Sequence, residues 1–147
     1  MSSGSPGILL IVLLMAVTLS AACTSPPQGI NPPRGLIEEY VLAYNEGDTD
    51  LIYAMLLLFD GADVHPRYTD KEEVEKDIQE WRVDKGFKIV EYFILDEYIV
   101  ENYAVITFRV IWEDPNGKQI DETQDVGFLY QDGKWKMVNL ILPGDGG

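Results

Sequence analysis

Residues 103–137 read YAVITFRVIWEDPNGKQIDETQDVGFLYQDGKWKM, and this stretch decides the fold. Ala104, Ile106, Phe108, Val110 and Trp112 alternate with Tyr103, Val105, Thr107, Arg109 and Ile111, the period of two with which a strand faces a core. Asp114-Pro115-Asn116-Gly117 is a turn by composition. A further strand spans 120–130. Gln131-Asp132-Gly133-Lys134 is a hairpin signal, because Asp-Gly accepts the positive φ that a tight turn demands. Trp135 opens a last strand, expected to reach Leu142. Upstream, 87–100 is β-branched and aromatic and stops at the polar pair Glu101-Asn102. Four strands joined by short loops make an antiparallel meander.

Before Phe87 the period is helical. Leu36, Ile37, Tyr40, Val41 and Tyr44 recur at spacings of three and four, on one face of a first helix that Gly47 ends. Asp48 or Thr49 caps a second helix through Leu51, Ile52, Met55 and Leu56, with the apolar run Leu56-Leu57-Leu58-Phe59 buried at its end. Thr69-Asp70-Lys71-Glu72 reads as a capping box for a third helix, with Thr69 as cap and Glu72 reaching back. Val74, Ile78 and Trp81 lie on its inner face, and Lys85-Gly86 closes it. Helices followed by a meander give an α+β domain, its helices packed on one face of a curved four-stranded antiparallel sheet. The other face, with Tyr103, Val105 and Ile111, is half-solvated or an interface.

The chain has 147 residues, 46% of them hydrophobic, and a formal net charge of −14 from 11 Lys and Arg against 25 Asp and Glu. No basic cluster exists, which excludes nucleic acid as a partner. A single cysteine rules out a disulfide scaffold. Residues 8–22, ILLIVLLMAVTLSAA, carry no charge and would span about 22 Å as a helix, short of the roughly 30 Å hydrocarbon core. They suit a signal-peptide apolar region that ends in small residues just before Cys23. Residues 24–34, TSPPQGINPPR, hold four prolines and form a semi-rigid tether of up to about 30 Å. The expected organisation is therefore a signal peptide over 1–22, a Pro-rich tether over 23–33, a domain over 34–142 and a disordered tail over 143–147.

Ser20-Ala21-Ala22-Cys23 resembles the lipobox of bacterial-type lipoproteins. The resemblance implies cleavage before Cys23, lipidation of its thiol, and a protein anchored by lipid on the extracytoplasmic face of the cell membrane. A plain secretory signal cut after Ala22 and an uncleaved apolar anchor are the alternatives. Residues 40–50, YVLAYNEGDTD, and 132–137, DGKWKM, resemble the nuclear transport factor two-like (cystatin-like cone) superfamily. The first is its opening helix with a Gly-Asp exit, and the second its closing hairpin. The resemblance covers 34–142 and implies that fold; it is nearly silent on activity. Both motifs also have structural reasons: glycine permits the helix exit, and Trp135 packs while Lys134 and Lys136 face water.

Some members of that superfamily use an Asp or a His–Asp pair as general base in the cone. Here His65 is the only histidine, on a loop with Asp60 and Asp63 near it as orienters, or simply an exposed loop residue. Tyr40, Tyr44, His65, Trp81, Phe108 and Trp112 are the candidate pocket residues, and the same aromatics can equally fill a core. Arg109 either pairs with an acid on the neighbouring strand or faces a pocket to hold a carboxylate. One histidine and one cysteine make a zinc site improbable, and no calcium-loop pattern occurs. No cofactor, metal or catalytic residue is assigned. The expected function is that of a non-catalytic, lipid-anchored envelope domain. It would bind a small apolar ligand or a protein, the latter as a partner or a homodimer through the outer sheet face. A cone-pocket hydrolase, isomerase or dehydratase, or an accessory of an envelope complex, are the other readings.

Overall fold

The structure is a computed structural model that describes residues 33–57, 68 and 70–144. His65 and Cys23, with the signal, the tether up to Pro32 and Leu58-Phe59, lie outside the described residues. All described residues fall in the compact unit Asn31–Gly147.

Helix α1 (Arg34–Glu46) ends at Gly47, whose φ of 74° is left-handed. A side chain there would also collide with the Arg82 guanidinium, 2.8 Å from where its Cβ would lie, so glycine serves both the turn and the packing. Asp48 then caps α2 (Thr49–Met55) by accepting from the Leu51 N–H at 3.1 Å. Here the structure departs from the sequence reading. Helix α2 stops at Met55, and Leu56 turns extended and bridges to Met137 in parallel. Leu57 N–H donates to the Met137 carbonyl at 2.7 Å. Leu56 and Leu57 are buried as the reading held, but as a strand-like strap, because the edge of the sheet offers hydrogen bonds that a helix end lacks.

Helix α3 (Lys71–Ile78) is capped by Asp70, which accepts from Glu73 N–H at 3.0 Å. Asp70 is the cap: it is the residue in extended backbone just before the helix, and its carboxylate favours the positive N-terminus, while Thr69, the expected cap, lies outside the described residues. The helix widens into a π-helical stretch, Gln79–Asp84. The wider turn carries Trp81 off the Val74–Ile78 face, so Trp81 is only half-buried, with Lys85 Nζ 3.6 Å from its ring centre.

The sheet has four strands in the order β1-β2-β3-β4, antiparallel throughout: β1 (Lys88–Val100), β2 (Tyr103–Glu113), β3 (Gln119–Gln131) and β4 (Lys134–Met137). Asp132 and Gly133, with φ of 51° and 81°, make the two-residue hairpin that Asp-Gly announces. The last strand ends at Met137, five residues short of the expected Leu142. Beyond it Leu140, Ile141 and Leu142 leave the sheet and are buried, and Pro143 is buried as well. The core joins the inner residues of α1, Val74 and Ile78 of α3, and the β2 row Ala104, Ile106, Phe108, Val110 and Trp112, all fully covered in that row.

Candidate functional site

The concave side of the sheet gathers four of the six expected pocket residues. Tyr40, Tyr44, Phe108 and Trp112 are all fully buried. Helix α1 supplies the tyrosines one turn apart, their rings 6.1 Å apart, and Trp112 meets Tyr44 edge-on at 5.4 Å. Each polar tip has a partner. Tyr40 donates to the Ile141 carbonyl at 2.7 Å, Tyr44 to the Phe87 carbonyl at 3.0 Å, and the Trp112 indole N–H to Glu122 Oε1 at 2.9 Å. Burial pushes the Tyr44 hydroxyl far above the ordinary tyrosine range, with the Arg82 charge opposing the shift. It therefore stays protonated and acts as a donor.

The segment 140–144 is latched at three points to residues of α1 and β3. Ile141 accepts from Tyr40, Leu142 accepts from the buried amide of Gln124 at 2.7 Å, and Gly144 N–H donates to Glu122 at 3.0 Å. Trp81 is not part of this cluster; it contacts Phe87, ring centres 6.1 Å apart, and Lys85. A separate open cavity of about 270 Å³ is lined by Leu56, Leu57, Gln131, Asp132, Lys134 and Lys136, and shares no residue with the aromatic cluster. Among the described residues no group of three or more metal-ligating side chains occurs, and no helix is long and apolar enough to cross a membrane.

The opposite face and the β1 edge look different. Arg109 settles its alternatives: it pairs with Asp121 across the β2–β3 ladder, Nε to Oδ1 at 2.8 Å, and both groups are about half exposed. That hydrogen bond holds Asp121 below the usual carboxylate range and raises Arg109. Beside the pair, Thr107 donates to Asp125 at 2.5 Å. Among the described residues ten large apolar side chains are exposed, and seven of them lie between Val90 and Tyr103: Val90, Phe93, Leu95, Tyr98, Ile99, Val100 and Tyr103. Sequence reasoning picked Tyr103 and missed the other six. The signal was present in 87–100, which is apolar on both faces without alternation. Its meaning depends on strand order, because the first strand of a meander has one neighbour and both of its faces lie at the rim.

Solved structures share this architecture. A SEC-C motif containing protein from Rhodopseudomonas palustris matches with a TM-score of 0.55 at 16% identity, over 72% of this chain and 74% of its own. A proposed dehydratase of the NTF2-like family from Streptomyces avermitilis matches at 0.53 and 15% identity, over 71% and 89%. A proposed NTF2-like transpeptidase from Campylobacter jejuni matches at 0.50 and 17%, over 76% and 100%. The fold is the cystatin-like cone. At these identities the likeness concerns the fold alone. No family model and no curated protein matches the chain. Within the cone, Tyr40, Tyr44, Phe108 and Trp112 are fully buried.

Proposed function

We propose that this chain is an exported, lipid-anchored, non-catalytic cone domain that binds a protein partner through the β1 edge and the outer sheet face. The observation that carries the reading is the distribution of apolar surface. The cone's aromatics are buried, with Tyr40, Tyr44 and Trp112 hydrogen-bonded, whereas Val90 to Tyr103 exposes seven large apolar side chains, six on β1 and Tyr103 at the start of β2. A monomeric surface gathers few such residues, and a contiguous group of them marks an interaction site. The titratable groups of the concave side support a binding role over acid–base chemistry: Tyr40 and Tyr44 donate to backbone carbonyls, and Glu122 holds Trp112, Gln124 and Gly144. Anchoring at Cys23 rests on the lipobox resemblance, and would present the domain on the extracytoplasmic face of the membrane at the end of a proline tether.

A photo-crosslinking residue at Leu95 tests the binding surface in the cells that make the protein, with the exposed Leu42 of α1 as control. Discrete adducts from position 95 and none from 42 are expected. Equal labelling at both positions, or none, overturns the reading. For the anchor, Cys23→Ala is expected to move the protein from the membrane to the soluble exported fraction, and an unchanged membrane fraction overturns it.

A further inference from the structure

Strand β1 has a strand neighbour on one side only, so half of its backbone N–H and C=O groups face outward with no strand partner among the described residues. Edge strands are ordinarily blunted with lysine, proline or bulges. In β1 the devices sit at the first half: Lys88 opens the strand, and register shifts at Ile89/Glu91 and Ile94/Asp96 leave Val90 and Leu95 out of the pairing. Beyond the second shift, residues 96–100 run in unbroken register against β2, from Asp96 opposite Thr107 to Val100 opposite Tyr103. These five residues contain no lysine, arginine or proline. Tyr98, Ile99 and Val100 are exposed at 62, 46 and 44%.

Charge indicates what would cover them. Asp96 and Glu101 are exposed at the two ends of the stretch, and neither forms an ion pair with a described basic residue. Between them, Glu97 is already answered by Arg34 at 3.0 Å on the helix side. A second copy of this chain fits poorly. Antiparallel self-pairing centred on Tyr98 sets Glu97 and Glu101 of the two copies diagonally against each other, and each copy brings a net charge of −14.

We propose that residues 96–100 accept an extended basic segment of a partner protein as a fifth strand. The proposal rests on the reading of β1 as the binding surface and gives it a mode and a partner chemistry. Asp96, Tyr98 and Val100 stand on the outer face at the two-residue period. The added strand then carries a lysine or arginine opposite Asp96, β-branched or aromatic residues opposite Tyr98 and Val100, and a second basic residue near Glu101. Backbone hydrogen bonds supply affinity, and this alternation supplies selectivity.

The probe is the synthetic peptide acetyl-Lys-Thr-Val-Thr-Val-Thr-Lys-amide, whose alternate residues place Lys, Val, Val and Lys on one face. Its counterpart has glutamate for both lysines. Each is titrated into the full chain in neutral detergent micelles, following backbone amide shifts and hydrogen exchange. The lysine peptide is expected to slow exchange within 96–100 and to bind at least about tenfold more tightly than the glutamate peptide. Its binding should weaken when salt rises from about 0.05 M to about 0.5 M. Asp96→Lys and, separately, Glu101→Lys should each reduce that preference. Equal binding of both peptides, or unaffected amides in 96–100, overturns the proposal. So does protection, before any peptide is added, of the amides of 96–100 that face away from β2: concentration-dependent protection identifies a second copy, and concentration-independent protection identifies this chain's own segment. Protection that appears only with lipid vesicles identifies a membrane surface and overturns it too. If adducts form at Leu95 in cells while the peptide fails, the strand-addition proposal falls and the surface reading stands. Absence of those adducts removes the reading beneath it.

Discussion

Trp112 and Tyr98 belong to neighbouring strands of one sheet, yet the first is fully buried and the second 62% exposed. Trp112 meets Tyr44 of α1 edge-on, and its indole N–H has a carboxylate partner. Tyr98 stands at the rim on the outer face, opposite Val105, with nothing described above it. Residue type does not separate the two regions, since both are aromatic and aliphatic. Topology does: β2 is flanked by strands on both sides, while β1 has a strand on one side and meets α1 through Asn45 at Ile89 and Arg34 at Glu97. Apolar side chains of the first kind stabilise the fold. Those of the second kind contribute little to it, so their presence calls for another cause.

The sharpest way to break this contrast is to truncate one residue from each region. Trp112→Ala is expected to cost about 3–5 kcal/mol in urea unfolding, because it opens a cavity under Tyr44 and strips Glu122 of a partner. Tyr98→Ala is expected to change stability by no more than about 0.5 kcal/mol. Similar losses for both would mean that Tyr98 is covered in solution, and the two regions would no longer differ.

A smaller effect sharpens the buried side. Tyr44→Phe keeps the ring and leaves the Phe87 carbonyl unpaired, at a cost of about 1–2 kcal/mol. It should also remove an alkaline limb. The Tyr44 hydroxyl ionises at higher pH in the folded chain than in the unfolded one. The stability it contributes is therefore full below about pH 10 and drains away as pH rises above that. Urea midpoints at successive alkaline pH values should fall more steeply for the parent than for Tyr44→Phe, and parallel curves would contradict this assignment.

At the β1–β2 turn, Glu101 holds a left-handed φ of 53°. Glu101→Gly should relieve that conformation and change stability by at most about 1 kcal/mol, in the stabilising direction, as read from the urea midpoint. A clear loss would show that the Glu101 side chain has a structural role at the rim.

The smallest effect belongs to the outer face. Asp121→Asn breaks the pair with Arg109, which is exposed and screened, so the urea midpoint at neutral pH should hardly move. Because Asp121 titrates below its ordinary value, its contribution is present above the unfolded carboxylate range and lost as pH falls through the folded value. The variant should accordingly show a slightly shallower acid limb than the parent, and a large neutral-pH loss would place the pair among structural contacts.

Much of this was legible in the residues. The alternation in 103–112, the Asp-Gly turn, Gly47 and the Asp48 cap are local signals, each readable within a few positions, and each appears in the structure as read. What escaped depends on distant parts of the chain. Met55 ends α2 because Met137, far along the sequence, offers Leu56 and Leu57 a pairing edge. Trp81 swings out because the helix widens, and nothing in QEWRVD announces a π-turn. Tyr40, Tyr44, Phe108 and Trp112 are buried together, but the Tyr40 hydroxyl is met by Ile141, in a segment whose departure from the sheet no period in the sequence predicts. The edge character of β1 likewise exists only once strand order is known.

The latching of 140–144 also governs when the domain can finish folding. Tyr40 and Ile141 are 101 residues apart in sequence, and the hydrogen bond between them closes the concave side. At about 5–20 residues per second, a growing chain waits roughly 5–20 s between making the two. Throughout that interval the Tyr40 hydroxyl lacks the Ile141 carbonyl that it meets in the finished fold, whereas Phe87 and Trp112, the partners of Tyr44, are made earlier. Long-range closure of this kind is slow even in a complete chain. The Tyr40 end of the concave side thus stays unlatched until the residues after Met137 arrive.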